Sequence, residues 1–312
     1  MKILFADYCG TRLPEILKEK GHSCAFLYEA GETEILEAAV GHDGLVIRSK
    51  FKIGAETVSR LKNLKFIARF GAGMENIDVE AAEKAGIICL SAPEGNRQAV
   101  AEHALGMLLS LFRNIPRANR EVREGIWQRE KNRGEELSGK TVGIIGFGNM
   151  GSAFAEILRG FNPQVLVYDK YKSGFGNSFI RECSLTEIFE NADIISLHVP
   201  LTEETKHLAG EKFFNSFRKP VWVINTSRGP CLSNDALLNA LHNGKVKGAC
   251  LDVLEGESVS FEEMGGSGKD KVLEALLKKE NVIFSPHIAG WSFQSLEKMS
   301  EILAKKIEEI KS

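Results

Sequence analysis

Thr141-Val-Gly-Ile-Ile-Gly-Phe-Gly-Asn-Met-Gly151 decides the fold. Its first five residues are an apolar run of the buried-strand type, Gly146-x-Gly148-x-x-Gly151 follows directly, and Ser152 to Gly160 continues with a helical pattern. A second apolar run, Val165-Leu-Val-Tyr-Asp169, ends in an acid 18 residues after Gly151. The three glycines play different parts. Gly146 permits the tight turn, Gly148 lets the backbone approach a pyrophosphate, and Gly151 lets helix and strand pack closely. The helix N-terminus offers unpaired N–H groups to the anion. Asp169 stands where a carboxylate accepts hydrogen bonds from adenosine ribose hydroxyls. Three glycines alone mean little, because turns use glycine freely. In a strand–turn–helix followed by an acid at the next strand end, they point to a dinucleotide-binding unit.

Alternation of short apolar runs with helical patterns extends outward in both directions. After Thr141–Ile145 and Val165–Asp169, further strands are expected at Ile194–Val199, Val221–Thr226, Ala249–Val253 and Val282–Ser285, six in all. Before the glycine loop, strands are expected at Lys2–Ala6, Cys24–Tyr28, Gly44–Arg48, Lys65–Arg69 and Gly86–Leu90, with amphipathic stretches between them at Glu32–Val40 and Ala55–Lys62. This is the pattern of parallel βαβ units, so the expected class is α/β with two doubly wound, Rossmann-like or flavodoxin-like domains. A long helix is expected from Gln98 to Phe112, with Val100, Ala104, Met107, Leu108 and Leu111 on one face. A closing helix, Phe293 to Ile310, carries Leu296, Met299, Leu303, Ile307 and Ile310 at spacings of three and four. The polar stretch from Arg113 to Leu137 suits either a projecting arm or a solvated loop around one buried Trp127. Ser258 to Asp270 is Gly/Ser-rich and reads as an insertion.

A chain of 312 residues with net charge -2 can bury cores for two domains and gives no reason to expect nucleic acid or an anionic membrane as partner. Cys9, Cys24, Cys89, Cys183, Cys231 and Cys250 are scattered without a C-x-x-C pair, so buried free thiols are expected rather than a metal site or a disulfide framework. The N-terminal run meets Asp7 too early for a secretory signal, and no apolar run approaches the roughly 20 residues of a membrane span, so a cytoplasmic protein is expected. No regulatory module is expected beyond the closing helix.

Three late strand ends are unusually polar: Asn225-Thr-Ser-Arg-Gly-Pro230, Asp252-Val-Leu-Glu-Gly-Glu257 and Ser285-Pro-His-Ile-Ala-Gly290. In a doubly wound sheet, ligands bind outside the carboxyl ends of the strands. An Arg, two acids and a His beside a nicotinamide are equipment for moving a hydride together with a proton. A cation anchors a carboxylate and polarises the adjacent carbonyl, an imidazole exchanges the hydroxyl proton, and a carboxylate orients the imidazole. Singly, each of these residues has an ordinary reading as a turn former, a cap or a solvated charge. At the strand ends of one sheet they are read together.

With these motifs in order, the chain resembles the D-isomer-specific 2-hydroxyacid dehydrogenases over nearly its whole length. The resemblance rests on Lys140–Gly151, Ala192–Thr202, Ile224–Gly229, Leu251–Glu257, Ser285–Gly290 and the Asn-x-x-x-Val-Ala-Glu-His run from Asn96 to His103. It implies Arg228 on the substrate carboxylate and carbonyl, His287 as acid/base with Glu257 as its partner, and Asp252 on the nicotinamide carboxamide. It implies NAD contacts at Gly146, Gly148, Asn149, Met150, Gly151, Asp169, His198, Val199, Pro200, Thr226, Ser227 and Gly290. Gly71, Ala72 and Gly73, with Asn96, would meet the substrate. The family also implies a discontinuous substrate-binding domain, 1–97 plus 286–312, and an NAD-binding domain at 98–285. Because the chain is expected to cross between domains near 95–100 and 284–291, a cleft that closes on substrate with hinges there is expected, excluding water from hydride transfer. A homodimer embracing through the 113–137 region is implied too, with no metal.

Two features depart from the family pattern. Ser258 stands where a Pro usually follows the Glu, and Lys170 and Lys172 follow Asp169, cations that oppose exclusion of a 2′-phosphate. NAD remains the expected cofactor, because Asp169 stands closest to that position. Leu45-Val-Ile-Arg-Ser49 and Ile67 to Asp78 resemble the phosphoglycerate dehydrogenase branch, with Arg48 and Arg69 on the substrate phosphate. The expected pair is therefore 3-phospho-D-glycerate and 3-phosphohydroxypyruvate, at the entry to serine biosynthesis. The alternatives are a glyoxylate/hydroxypyruvate reductase and, from another class, an NAD(H)-sensing binding protein like the C-terminal-binding co-repressors.

Overall fold

The computed structural model describes residues 1–61, 63–257 and 271–311. Ser258 and the rest of the 258–270 stretch lie outside the described residues. The remainder divides into two compact units, residues 1–97 with 291–311 and residues 98–257 with 271–290.

In the first unit β1 (Lys2–Phe5), β2 (Ser23–Phe26), β3 (Gly44–Ile47), β4 (Phe66–Arg69) and β5 (Ile88–Leu90) form a parallel sheet of order β2-β1-β3-β4-β5. Alternating residues feed opposite faces. Ile3 and Phe5 pack in one core cluster with Leu13, Leu17, Met299, Leu303 and Ile307, while Leu4 and Ala6 pack in the other with Ile35, Leu36 and Val58. Both faces are thus covered by helices, which is why β3 and β4 are apolar at nearly every position rather than at every second one. The closing helix, Phe293–Lys311, lies so near Gly95 that a Cβ there would strike the backbone of Met299.

The second unit holds β6 (Thr141–Ile145), β7 (Gln164–Tyr168), β8 (Ile180–Glu182), β9 (Ile194–Leu197), β10 (Val221–Asn225), β11 (Val246–Leu251) and β12 (Val282–Phe284). They form a second parallel sheet of order β12-β11-β10-β9-β6-β7-β8. Chain order runs outward from β6 to β8 on one side and from β9 to β12 on the other. The switch point, where a doubly wound sheet binds its ligand, falls at β6 and β9. The expected six strands are present, joined by β8 at the edge. Only Ile180 of its three residues is buried, so it has no apolar run to announce it.

The long helix begins at Pro93, five residues before the expected start, and ends at Phe112. A proline suits a first helical turn, whose N–H groups have no partner within the helix. Its expected apolar face is buried, with Ala104 and Leu108 fully so. The 113–137 stretch contains the helix Ile115–Arg123, which buries none of its residues. Trp127 is 78% exposed, which rules out a loop wrapped around a buried Trp. All six cysteines are free thiols, but only Cys9, Cys231 and Cys250 are buried. Cys24, Cys89 and Cys183 are half-buried because they lie on or just after the edge strands β2, β5 and β8, which have a neighbour on one side only. Among the described residues no helix is long and apolar enough to cross a membrane.

Candidate active site

The glycine loop is shaped to hold a pyrophosphate. Gly146 has φ +95°, a value that disfavours any side chain, and a Cβ there would strike the carbonyl of His198. A Cβ on Gly151 would run into the carbonyl oxygen of Gly146, so only glycine lets the helix Asn149–Ile157 start this close to β6. Gly148, the residue before that helix, has no atom within 4 Å of where a Cβ would stand, which leaves its backbone open to a ligand. Asn149 and Met150 form the helix's first turn. Asp169 ties the loop from behind: its Oδ2 accepts the Phe147 N–H at 2.6 Å, and its Oδ1 accepts those of Tyr171 and Lys172 at 2.9 Å each. Burial pushes the Asp169 carboxyl upward, but these hydrogen bonds and the nearby Lys172 outweigh it and hold the group below the usual range.

Beyond β9, Val199 is half-buried and Pro200 exposed. The His198 imidazole is buried, 2.8 Å from Ser196 Oγ and tilted against the Phe154 ring with centroids 5.3 Å apart, and burial pushes its pKa down to about 3. A ring that stays neutral and lies under the loop contributes shape rather than charge. Thr226 Oγ1 is buried with no hydrogen-bond partner among the described residues, a position a ligand hydroxyl or amide could satisfy. These features fit a nicotinamide dinucleotide.

The turn after β10 is built by Asn225, whose Oδ1 accepts the Ser227 N–H at 3.1 Å and its hydroxyl at 2.7 Å. Asn225 Nδ2 donates to the Arg228 carbonyl at 3.1 Å, and Arg228 Nη1 donates to the Ser227 carbonyl at 2.6 Å. A Cβ on Gly229 would strike the Leu254 carbonyl, so this turn presses on the one after β11.

His287 sits in the left-handed region at φ +53°, which costs a non-glycine residue about 1–3 kcal/mol and persists only where its surroundings impose it. Here the surroundings are Asp252. The His287 N–H donates to the Asp252 carbonyl at 2.8 Å, the N–H groups of Ile288 and Ala289 donate to its carboxylate at 2.9 and 2.8 Å, and Ser285 Oγ donates at 2.6 Å. His103 Nε2 stands 2.8 Å from Ser285 Oγ and 3.5 Å from Asp252 Oδ1. Asp252 is 1% exposed, and burial would push its carboxyl upward. The hydrogen bonds from His103, Ser285, Ala289 and Ile288 outweigh that and hold it below the usual range. So oriented, His287 Nδ1 lies 3.1 Å from Glu257 Oε2, with both side chains mostly buried. Gly290 ends this turn.

Arg48, Arg69, Gly71, Ala72, Gly73 and Asn96 belong to the first unit. Arg69 ends β4 opposite Ile47, so Arg48 and Arg69 stand at neighbouring strand ends. The Arg69 side chain is buried against Gly71, where a Cβ would strike its guanidinium. The Arg48 guanidinium lies 4.2 Å from the ring centroid of Trp291. Asn96 Oδ1 is buried with no partner among the described residues.

Four supporting residues have roles that the motifs do not reveal. Asp7 Oδ2 accepts the N–H groups of Arg48, Ser49 and Lys50 at 2.6, 3.1 and 3.2 Å, fixing the turn that carries Arg48. Trp291 supports the Arg48 guanidinium. His103 and Ser285 complete the Asp252 cluster. Each of these two lies within a motif, but sequence spacing does not show which way a side chain turns.

A parallel sheet of this order, with a glycine loop at its switch point and an acid closing the next strand, defines a nicotinamide-dinucleotide-binding α/β domain. The family model described as D-isomer specific 2-hydroxyacid dehydrogenase, NAD binding domain, matches residues 105–289. The chain belongs to this family. It is 34% identical over 309 residues to a D-3-phosphoglycerate dehydrogenase of Archaeoglobus fulgidus, covering 98% of this chain and 56% of that one. It is 36% identical over 274 residues to a hydroxypyruvate reductase of Thermotoga maritima, covering 88% and 86%. The chain thus spans about half the length of its phosphoglycerate dehydrogenase relative. The crystal structure of an Aquifex aeolicus D-lactate dehydrogenase complexed with NAD and lactic acid superposes with TM-score 0.85 at 30% identity, covering 98% of this chain and 94% of that one.

Proposed function

We propose that the protein is an NAD-dependent oxidoreductase that interconverts a D-2-hydroxy acid and its 2-oxo acid. The observation that carries this reading is the His287–Glu257 pair, 3.1 Å apart, on a turn that Asp252 clamps at the strand ends of the dinucleotide-binding sheet. A bound nicotinamide would supply or accept the hydride. His287 gives the proton to the carbonyl oxygen in reduction and takes it from the hydroxyl in oxidation. With Nδ1 facing Glu257, Nε2 is the nitrogen that exchanges it, and Glu257 stabilises the imidazolium. Arg228, braced by Ser227 and Asn225, pairs with the substrate carboxylate and polarises the neighbouring carbonyl. A spectrophotometric screen of 2-oxo acids with NADH tests the reading. NADH binding without turnover of any of them would favour a sensing protein instead.

The substrate is assigned as 3-phospho-D-glycerate and 3-phosphohydroxypyruvate, with Arg48 and Arg69 on the phosphate. Guanidinium forks match phosphate oxygens, and such charge-assisted bonds are worth about 1.5–3 kcal/mol each. A relative of 34% identity bears the phosphoglycerate dehydrogenase name. The second reading is a glyoxylate/hydroxypyruvate reductase. It is favoured by the Arg48–Trp291 contact, which already gives that cation a partner, and by the name of the 36% identical relative. The test compares kcat/KM for phosphohydroxypyruvate, hydroxypyruvate and glyoxylate. The expected result is preference for the phosphorylated substrate, eroded at least about tenfold by Arg48→Ala, with little change for glyoxylate. Arg69→Ala should act in the same direction, read alongside its melting curve because Arg69 is buried. Glyoxylate turned over best by the wild type hands the assignment to the second reading.

The quaternary proposal is a homodimer through the 113–137 region. Ile115, Val122 and Trp127 are 51%, 53% and 78% exposed there, on a helix and turn that cover no core of their own chain. Sedimentation velocity is expected to show a dimer, weakened by Trp127→Ser. A monomer at every concentration overturns it.

A further inference from the structure

We propose that Glu204 is a second determinant of cofactor choice, acting by occupying a cation beside Asp169 that could otherwise meet a 2′-phosphate. This deepens the assignment of the glycine loop to NAD and rests on it. Accepting a 2′-phosphate in a site of this kind requires a positive group where the ribose acid stands. The sequence offers two candidates, Lys170 and Lys172, just after Asp169. Both have other partners. Lys172 Nζ donates to the Phe147 carbonyl at 3.1 Å, so it braces the same residue of the glycine loop whose N–H Asp169 holds. Lys170 Nζ pairs with Glu204 Oε1, and Tyr171 Oη donates to Glu204 Oε2 at 2.7 Å, so both carboxylate oxygens are used. The Lys170 ammonium also lies 5.4 Å from the centroid of the Tyr171 ring.

Glu204 comes from a turn after β9, on the far side of the switch point in sequence. That turn is itself fixed: Thr205 Oγ1 donates to the Pro200 carbonyl at 2.6 Å and accepts the Thr202 N–H at 2.8 Å. The carboxylate is therefore presented by a braced turn, not by a freely moving loop. Its effect on a 2′-phosphate is to neutralise the cation that would compensate Asp169. NADH, which bears only hydroxyls at this ribose, is insensitive to that effect.

The test is direct binding, read from the fluorescence of NADH and NADPH on titration with protein, so that it does not depend on turnover. The variants are Glu204→Gln, which keeps an acceptor for Tyr171 but removes the charge, Glu204→Ala, Lys170→Ala, and Lys170→Ala with Glu204→Gln. At moderate salt, removing one charge of a half-exposed pair and releasing the other should tighten NADPH by about fivefold to tenfold. NADH should stay within about twofold. The gain should be mostly lost in the double variant, because it needs Lys170. Asp169→Asn should differ in kind, weakening NADH as it relieves NADPH, since Asp169 also holds the Phe147 N–H. An unchanged NADPH affinity in both Glu204 variants overturns the proposal, as does an equal gain without Lys170. Failure of the underlying reading shows separately, as wild-type protein that binds NADH no more tightly than NADPH.

Discussion

His287→Ala is expected to lower kcat for oxo-acid reduction by roughly 10²–10⁴ while leaving the affinity for NADH nearly unchanged. The range is that of a lost general acid, and the side chain stands on a turn whose backbone is fixed independently by Asp252. Alanine tolerates the left-handed backbone at φ +53° poorly, so the informative partner is His287→Asn. Asparagine accepts that conformation, cannot exchange a proton near neutral pH, and should be as inactive as the alanine variant with a wild-type melting temperature. The direction of the pH effect follows from the proton balance. Reduction consumes the proton of the imidazolium and should decline as pH rises, whereas oxidation needs the neutral ring and should climb. Glu257→Gln keeps an acceptor beside Nδ1 but removes the charge that faces the ring, so kcat should fall in both directions while NADH affinity holds. Near-normal turnover in His287→Asn removes His287 from the chemistry, and an unchanged kcat in Glu257→Gln dissolves the pair.

The parts of this molecule legible in its sequence are those in which one physical requirement falls on adjacent residues. A strand buried on both faces is a continuous apolar run, so β6, β9 and β10 announce themselves; a tight approach of helix to strand demands glycine, so Gly146 and Gly151 do too. The edge strand β8, with two exposed residues of three, carries no such signature. The helix Ile115–Arg123 is missed for a related reason: apolar periodicity reports burial, and this helix buries nothing. In the site, residue types at strand ends mark Arg228, Glu257 and His287 as chemically able. Spacing does not show how long-range hydrogen bonds are partitioned. The motif around Asp252 implies a nicotinamide carboxamide as its partner, yet its carboxylate oxygens accept from Ser285, Ile288 and Ala289, more than 30 residues away. Asp7 and Glu204 are invisible for the same reason, since each acts on a segment more than 30 positions distant.

Asp252→Ala should therefore injure the protein before any cofactor is present. The substitution strips the acceptor from two backbone N–H groups and from Ser285 Oγ in a nearly solvent-free position, and leaves His103 without its carboxylate. Buried donors left unsatisfied cost about 1–3 kcal/mol each, partly relieved as the turn relaxes. A net loss of about 2–4 kcal/mol is expected, on the order of 5–10 °C in melting temperature for a unit of this size. Activity should fall by at least about 10², because the turn no longer holds His287 against Glu257. Asp252→Asn separates charge from shape: one amide oxygen still accepts, but the amide group meets N–H donors and repels them. The carboxyl of Asp252 is held below its usual range, so its ionised form stabilises the fold. That contribution is complete above the ordinary aspartate pKa and is lost as pH falls below it through the lowered folded value. The gap in stability between wild type and Asp252→Asn should accordingly be full at pH 7 and close in strong acid. A side chain that served only to meet the nicotinamide would behave otherwise. The apo variant would melt with the wild type and the whole deficit would appear in NADH affinity. An unshifted apo melting temperature would thus return Asp252 to the cofactor and leave the conformation of His287 in need of another cause.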